Sequence, residues 1–465
     1  MTHTLAKPST SVLDTIGNTP MHEVVNMDTG KCRLFLKLES QNPGGSIKDR
    51  IGLSMIDAAE KSGQLKPGGT LIEATAGNTG LGLALVAAQK GYRCVIVVPD
   101  KMAQEKVFHL KALGATVLST RSDVGKGHPE YYQDMAERLA AENGWFYVNQ
   151  FDNAANPKAH RETTGPEILA QIEMAGTQLD AMVCGVGSGG TITGLSQFFA
   201  HASPDTEMVL ADPEGSILKH YIDTGEVSDE VGSWMVEGIG EDFLPPISDF
   251  SRCKTAYTVT DAEAFAVGRE LLQKEGVLAG SSSGTLIAAA LKYARAQTQP
   301  KTICTFVCDR GDKYLSKMYN DYWMQDNGFT APQKTGDLRD LLARSHEEKQ
   351  VVTIPPQTTL AAAYRQMKLY DISQLPVLDT DGTLVGLLDE EDLLARVYAN
   401  GWSFDGEVSD IMACELKTVS PDASNDDVMA LLADGMVVPV VSDAGFHGII
   451  TKIDMLNHMR LHGAK

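Results

Sequence analysis

Thr70-Leu71-Ile72-Glu73-Ala74 runs into Thr75-Ala76-Gly77-Asn78-Thr79-Gly80, and a helical pattern from Thr79 to Gln89 leads on to Cys94-Val95-Ile96-Val97-Val98. A short strand, a polar turn, a helix opened by Asn78 and a second strand make one βαβ unit. The same alternation spreads both ways. Strand-like runs at Leu34 to Leu38, Ala181 to Cys184 and Met208 to Ala211 alternate with longer helical patterns as far as about Val307, and Ser46 can cap a helix through Met55 and Ile56. Strands spaced in this way pair in parallel under covering helices, so the expected class is α/β with a doubly wound sheet.

Past Trp323 the pattern breaks at Asp326 to Gly336, a polar stretch that reads as a linker. Beyond it lies an internal repeat. Val352-Thr353-Ile354-Pro355-Pro356 answers Thr418-Val419-Ser420-Pro421, Leu375-Pro376-Val377-Leu378 answers Val438-Pro439-Val440-Val441, and Gly386 to Asp392 answers Gly448 to Asp454. The matches keep order and nearly constant offset, and each copy reads as helix, strand, strand, helix, which identifies a paired module.

Composition narrows the function classes. Forty Lys and Arg against 61 Asp and Glu give a formal net charge of −21 over 465 residues. Such a chain repels nucleic acid and anionic lipid surfaces, and it carries no basic block that would reverse the sign. Apolar runs such as Arg93 to Pro99 stop short of the roughly 18 residues a membrane helix needs, and Met1 to Thr10 has no apolar signal core, so a cytoplasmic protein is expected. The seven scattered cysteines read as reduced core thiols, with no metal site and no disulfide framework.

Polar loops at Asn42 to Arg50, Thr75 to Gly80 and Gly185 to Thr191 each sit between a strand and a helix, where free amides face one crevice. Gly185, Gly187 and Gly190 satisfy GxGxxG, and Asp212 ends the next strand where a ribose-binding acid would stand, so a dinucleotide-dependent oxidoreductase is one reading. Against it, the loop lies in mid-chain, and the other loops offer a lysine and an asparagine that hydride transfer does not need. Gly187 to Thr191 reads instead as an anion nest for one phosphate, with the Ser188 and Thr191 hydroxyls as extra donors. Lys48, near the first turn of its helix, falls where dipoles and burial lower an amine's pKa and free it for imine formation.

Together Gly44 to Arg50, Thr75 to Gly80 and Gly187 to Thr191 resemble the three signatures of fold-type II pyridoxal-phosphate enzymes of the cysteine synthase and cystathionine β-synthase family, over roughly Thr15 to Gly328. The resemblance implies a catalytic domain over 1–328, built of two doubly wound α/β subdomains, with pyridoxal 5'-phosphate as cofactor. It makes Lys48 the lysine linked to the cofactor, which also removes the substrate's Cα proton and helps hydroxide leave. Asn78 then bonds the cofactor's 3' oxygen, and Gly187, Ser188, Gly189, Gly190 and Thr191 hold its phosphate. Ser282, in Ala279-Gly280-Ser281-Ser282-Ser283-Gly284, faces the pyridine nitrogen, and a neutral hydroxyl there does not force ring protonation, which suits β-replacement. The substrate carboxylate falls to Thr75, Ala76, Asn78 and Thr79, with Gln150 a further donor and with Phe151 and Gly240 beside the substrates. Ala76 departs from the family, whose members usually carry serine there.

The activity implied is condensation of L-serine with L-homocysteine to L-cystathionine and water, with hydrogen sulfide as a further product. The alternative is cysteine synthesis from O-acetylserine or serine and sulfide. Val236 to Pro245, Asp212 to Ser216 and the fused C-terminal pair favour the first. Phe151 favours the second, because several cystathionine synthases carry tyrosine there. No CxxH-bearing segment precedes Thr15, so no haem is expected.

The repeat resembles a CBS-domain pair, an α+β Bateman module, with a linker at 329–338 and copies at 339–402 and 403–465. In such pairs a G-h-h-[ST]-x-x-D ending holds a ligand's phosphate and ribose, which implies one adenosyl site, for S-adenosylmethionine or AMP, using Thr451 and Asp454. Asp389 takes the hydroxyl position in the first copy, where its charge would repel a phosphate. A pair that only cements a homodimer or homotetramer is the other reading, and a non-catalytic ligand sensor would rest on the repeat alone.

Overall fold

The structure is a computed structural model that describes residues 8–75, 77–100, 102, 104–331, 335–342, 346–347, 350–435 and 437–462. The chain divides into two compact units, Met1–Asn320 and Asp321–Lys465. The second unit thus begins ahead of the linker expected at 329–338.

The first unit holds two sheets, where the βαβ rhythm alone implies one and the family resemblance implies two subdomains. One contains β1 (Met21–Glu23), β2 (Arg33–Lys37), β7 (Ala181–Gly185), β8 (Glu207–Pro213), β9 (Cys253–Val259) and β10 (Thr302–Phe306), in the order β1-β2-β10-β7-β8-β9. Only the β1–β2 pair is antiparallel. The other contains β3 (Thr70–Ala74), β4 (Arg93–Pro99), β5 (Thr116–Thr120) and β6 (Phe146–Tyr147), all parallel, in the order β5-β4-β3-β6. This smaller sheet is inserted between β2 and β7 in the chain. Its central strands are apolar on both faces. Leu71, Ile96 and Val98 pack with Leu81 and Val86 on one side, and Ile72, Val95 and Val97 pack with Ala136 and Ala140 on the other.

The three signature loops leave the ends of these strands. The Asn78–Lys90 helix follows β3, and the Gly190–Ala202 helix follows β7. The Lys48–Ser62 helix is tied to the end of β10, because the Ile47 amide donates to Cys308 O at 2.8 Å and the Arg310 amide to Gly45 O at 3.1 Å. Gly280 N donates to Asp309 O at 3.1 Å and brings the start of the Ser281–Arg295 helix to the same place.

The second unit shows duplication in its backbone. β11 (Gln374–Leu378) pairs with β12 (Leu384–Asp389) and β13 (Val437–Ser442) with β14 (Gly445–Thr451), both antiparallel. The register shifts at matching points, Val377/Leu378 and Val440/Val441. Ile354 and Val419 then add one parallel bridge each, beside Val377 and Val440. Flanking helices Leu360–Tyr370, Glu390–Ala399, Asn425–Asp434 and Lys452–His462 complete the helix, strand, strand, helix order of both copies.

Among the described residues no helix is long and apolar enough to cross a membrane, and no cluster of His, Cys, Asp and Glu is arranged to hold a metal ion. All seven cysteines are free thiols, but not all are core. Cys414 is exposed, and Cys308 is half-buried beside the loops just described.

Candidate active site

The loop before Lys48 is folded by its own acid. Asp49 Oδ2 accepts the Gly44 amide at 2.6 Å, and a Cβ on Gly44 would stand 2.6 Å from Asp49 Oδ1, so glycine is required. Arg50 anchors the helix in the core through Glu39 (2.7 and 2.8 Å) and Glu167 (2.7 and 2.7 Å). Lys48 itself keeps partial exposure. Desolvation still pushes its amine below the usual lysine range, against the opposing charges of Cys308, Asp309 and Glu241.

Asn78 opens its helix between two charged partners that sequence reasoning missed. Its Nδ2 donates to Asp309 Oδ2 at 2.8 Å, and Lys313 Nζ donates to its Oδ1 at 2.8 Å. The amide orientation is thereby fixed, and one N–H remains for an acceptor outside. Asp309 is buried, takes a second bond from the Tyr314 hydroxyl at 2.9 Å, and leaves Oδ1 with no partner. Thr75 Oγ1 accepts the Gly77 amide at 3.1 Å, and Thr79 donates to Gln150 Oε1 at 2.6 Å. Ala76 lies outside the described residues. Beneath them Glu73 is fully buried, and desolvation raises its carboxyl to about 8.

The glycines at Gly187, Gly189 and Gly190 mark a cradle that side chains would fill. A Cβ on Gly187 would meet Gly238 O at 2.6 Å, one on Gly189 would run into Ser248, and one on Gly190 into Asn156 Oδ1. Gly189 also has a φ of 86°, where L side chains are strained. Asn156 Nδ2 donates to Ser188 Oγ at 2.9 Å, which leaves the Ser188 proton free to bond an anion. Thr191 Oγ1 lies 3.3 Å from His160 Nε2. Burial, with Arg50 and Lys48 nearby, holds that imidazole well below its ordinary pKa and therefore neutral. Bare amides, hydroxyls and the start of the Gly190–Ala202 helix suit a phosphate.

Ser282 is buried in the first turn of its helix, and burial raises the nearby Cys308 thiol to about 12. Ser283 Oγ accepts the Cys308 amide at 2.9 Å. Phe151 packs on Phe243 with centroids 5.6 Å apart. Gly240 N donates to Val186 O at 2.8 Å, so its loop lies against the phosphate cradle. Backbone bonds from Ile47 to Cys308 and from Gly280 to Asp309 therefore bring Lys48 and Ser282 beside Asn78, which bonds Asp309, while Asn156 joins Gln150 to Ser188 and His160 lies against Thr191. An aldehyde phosphate on an aromatic ring fits this set: an amine of lowered pKa, an oriented amide, a neutral hydroxyl and a cradle with no room for Cβ atoms.

In the second unit Thr451 and Asp454 bond each other. The Thr451 hydroxyl and amide donate to Asp454 Oδ2 at 2.6 and 2.7 Å, which caps the Lys452–His462 helix. Asp389 caps the first copy in the same way, accepting the Asp392 amide at 2.8 Å. A cleft of about 380 Å³ in this unit is lined by Thr383, Cys414, Thr418, Ser442, Asp443 and Phe446 among others, and not by Thr451 or Asp454.

Residues 12–309 match the family model for pyridoxal-phosphate dependent enzymes, and residues 340–399 and 408–461 match that for the CBS domain. The chain is 36% identical over 416 residues to a cystathionine beta-synthase of Oryctolagus cuniculus, covering 88% of this chain and 75% of that one. It is 35% identical over 469 residues to a cystathionine beta-synthase of Dictyostelium discoideum, covering 97% and 92%. Among solved structures, an O-acetylserine dependent cystathionine beta-synthase from Helicobacter pylori superposes with a TM-score of 0.61 at 36% identity, covering 67% of this chain and 99% of that one.

Proposed function

The chain belongs to the pyridoxal-phosphate dependent enzyme family and carries a CBS-domain pair, and we propose that, like its relatives named cystathionine beta-synthase, it condenses L-serine with L-homocysteine to L-cystathionine and water. The observation that carries this reading is the gathering of Lys48, Asn78, Ser282 and the Gly187–Thr191 cradle around Cys308, Asp309 and His160. Pyridoxal phosphate, when bound, supplies an electron sink in conjugation with the substrate's amino group.

The protein's part is placement and proton transfer. Lys48 carries the cofactor, and its depressed pKa leaves the amine able to take the Cα proton and return it. Asn78 offers its remaining N–H to the cofactor's 3' oxygen, and Ser282 offers a neutral hydroxyl to the ring nitrogen. Amides and hydroxyls of Gly187 to Thr191 hold the phosphate. Thr75, held by the Gly77 amide, and Thr79 and Gln150, bonded to each other and braced by Asn156, receive the substrate carboxylate. Phe151, against Phe243, borders the path of the incoming thiol. The protein works in the cytoplasm without haem as a homodimer or homotetramer, and its C-terminal pair takes one adenosyl ligand.

A second reading, cysteine synthesis from O-acetylserine and sulfide, is favoured by Phe151; the likeness to the Helicobacter pylori enzyme, an O-acetylserine dependent cystathionine beta-synthase, bears on O-acetylserine as the donor alone. Steady-state assays of serine and O-acetylserine, each with homocysteine and with sulfide, separate the two. Cystathionine formed from serine supports the first, and turnover confined to O-acetylserine with sulfide replaces it by the second.

A further inference from the structure

Glu241 is a half-buried carboxyl in this cleft that nothing above employs. The backbone around it is fastened on all sides. Gly240 N donates to Val186 O (2.8 Å), Glu241 N to Ser216 Oγ (3.1 Å), Ile217 N to Glu241 O (3.1 Å) and Trp234 Nε1 to Ile239 O (3.0 Å). The side chain, in contrast, has no hydrogen-bond partner among the described residues. Its Oε1 lies 3.8 Å from where a Cβ on Gly187 would stand, at the first glycine of the phosphate cradle, and its charge is felt at Lys48. A carboxyl so placed does nothing for the fold that an apolar side chain would not do better, and its charge reaches the lysine that would handle the Cα proton.

Serine poses a problem that O-acetylserine does not: hydroxide leaves carbon far less readily than acetate, so a proton must reach the oxygen as the bond breaks. We propose that Glu241 is the general acid for the leaving hydroxyl and so the residue that admits serine as a substrate; this rests on the serine reading above. The step balances. Lys48 takes the Cα proton, the electron pair left on Cα forms a Cα=Cβ double bond, and the Cβ–O pair departs with the oxygen. That oxygen receives the Glu241 proton and leaves as water. The incoming thiol gives its proton to the Glu241 carboxylate, the sulfur adds to Cβ, and Lys48 returns its proton to Cα. No oxidant or reductant enters.

The surroundings keep the acid loaded. Desolvation raises Glu241 to about 9, Asp242 and Asp212 push the same way, and Lys48 alone among the charged neighbours opposes them. The charge of Glu241 is felt at Tyr131 and Tyr132, whose hydroxyls burial raises. The group is therefore protonated at neutral pH.

The test is Glu241→Gln in the full-length holoenzyme, assayed with homocysteine against serine and against O-acetylserine. General-acid loss lowers kcat with serine about 100-fold or more and leaves turnover of O-acetylserine within about threefold, which also reports an intact fold. The wild-type serine profile falls as pH rises through about 9, and the O-acetylserine profile lacks that limb. Infrared difference spectra of resting wild type minus Glu241→Gln show a protonated carboxyl band at neutral pH. Equal losses on both substrates, no loss on serine, or absence of that band overturns the assignment while the serine reading stands. A wild type that ignores serine overturns the substrate reading, and the assignment with it.

Discussion

Replacing Lys313 by methionine removes an ammonium and keeps an unbranched stem. Lys313 Nζ and Asp309 Oδ2 sit at opposite ends of the Asn78 amide, each at 2.8 Å, so the two charges dictate which end carries the hydrogens. A charge-assisted bond of this kind contributes about 1.5–3 kcal/mol. Asp309 also loses the cation that most opposes its protonation, and burial already raises its pKa. Once protonated it can donate to Asn78 Oδ1 and turn the amide end for end, which takes the free N–H away from the cofactor. Pyridoxal phosphate should then bind roughly 10- to 100-fold more weakly, at about 1.4 kcal/mol per decade. The assay is titration of the apoprotein, followed by cofactor absorbance, with thermal melting to show that the fold persists. In an Asn78→Ala background the same substitution should change affinity less than about twofold, because the bond it acts through is gone. Wild-type affinity in a folded Lys313→Met variant, or equal losses in both backgrounds, refutes the reasoning.

Three further outcomes are expected. Arg50→Met leaves Glu39 buried without its cation, while half-buried Glu167 keeps Lys37, and lowers stability by about 3–5 kcal/mol in urea denaturation; a loss under about 1 kcal/mol contradicts the anchoring role. Gly189→Ala meets both a φ of 86° and Ser248, so cofactor affinity should fall at least about tenfold by apoprotein titration, and unchanged affinity would mean that the cradle is elsewhere. Glu73, raised to about 8 from 4.5, stabilises the fold fully below about pH 4.5 and progressively less as pH rises to 8. Glu73→Gln should therefore gain about 3 kcal/mol on wild type at pH 7 and nearly nothing at pH 4.5. A pH-independent difference between the two proteins contradicts burial of an ionisable group there.

Much of the fold was legible because it follows from local pattern. Thr70 to Val98 announces a βαβ unit through apolar strands and a capped helix, and the repeat announces itself through Pro376 and Pro439, beside which both hairpins shift register. Lys48, Asn78 and the Gly187–Thr191 loop stand out because strand-to-helix turns with glycine have few other uses. Their supports do not stand out. Asn78 and Asp309 are 231 residues apart and Asn78 and Lys313 are 235 apart, so only the parallel order β2-β10-β7 and the stitching of Gly45 to Arg310 bring them together. His160 and Asn156 lie in a stretch with no glycine signature, and their roles come from facing the Gly190–Ala202 helix. Cys308 read as core because it falls in an apolar strand-like run, whereas the strand ends at Phe306 and the Cys308 amide turns to Ser283 at the start of the next helix. Thr451 and Asp454 show the limit of spacing as evidence. A hydroxyl and an acid three residues apart at a helix start suit a ligand's phosphate and ribose, and equally suit each other as a cap.

Reduction of the purified holoenzyme with borohydride, followed by peptide mapping, tests directly whether the cleft at the end of β10 is the catalytic centre. The cofactor label should appear on the peptide carrying Lys48, and Lys48→Ala should keep the melting behaviour of the wild type while losing both label and β-replacement. A label on any other lysine, or β-replacement surviving in Lys48→Ala, would contradict the assignment.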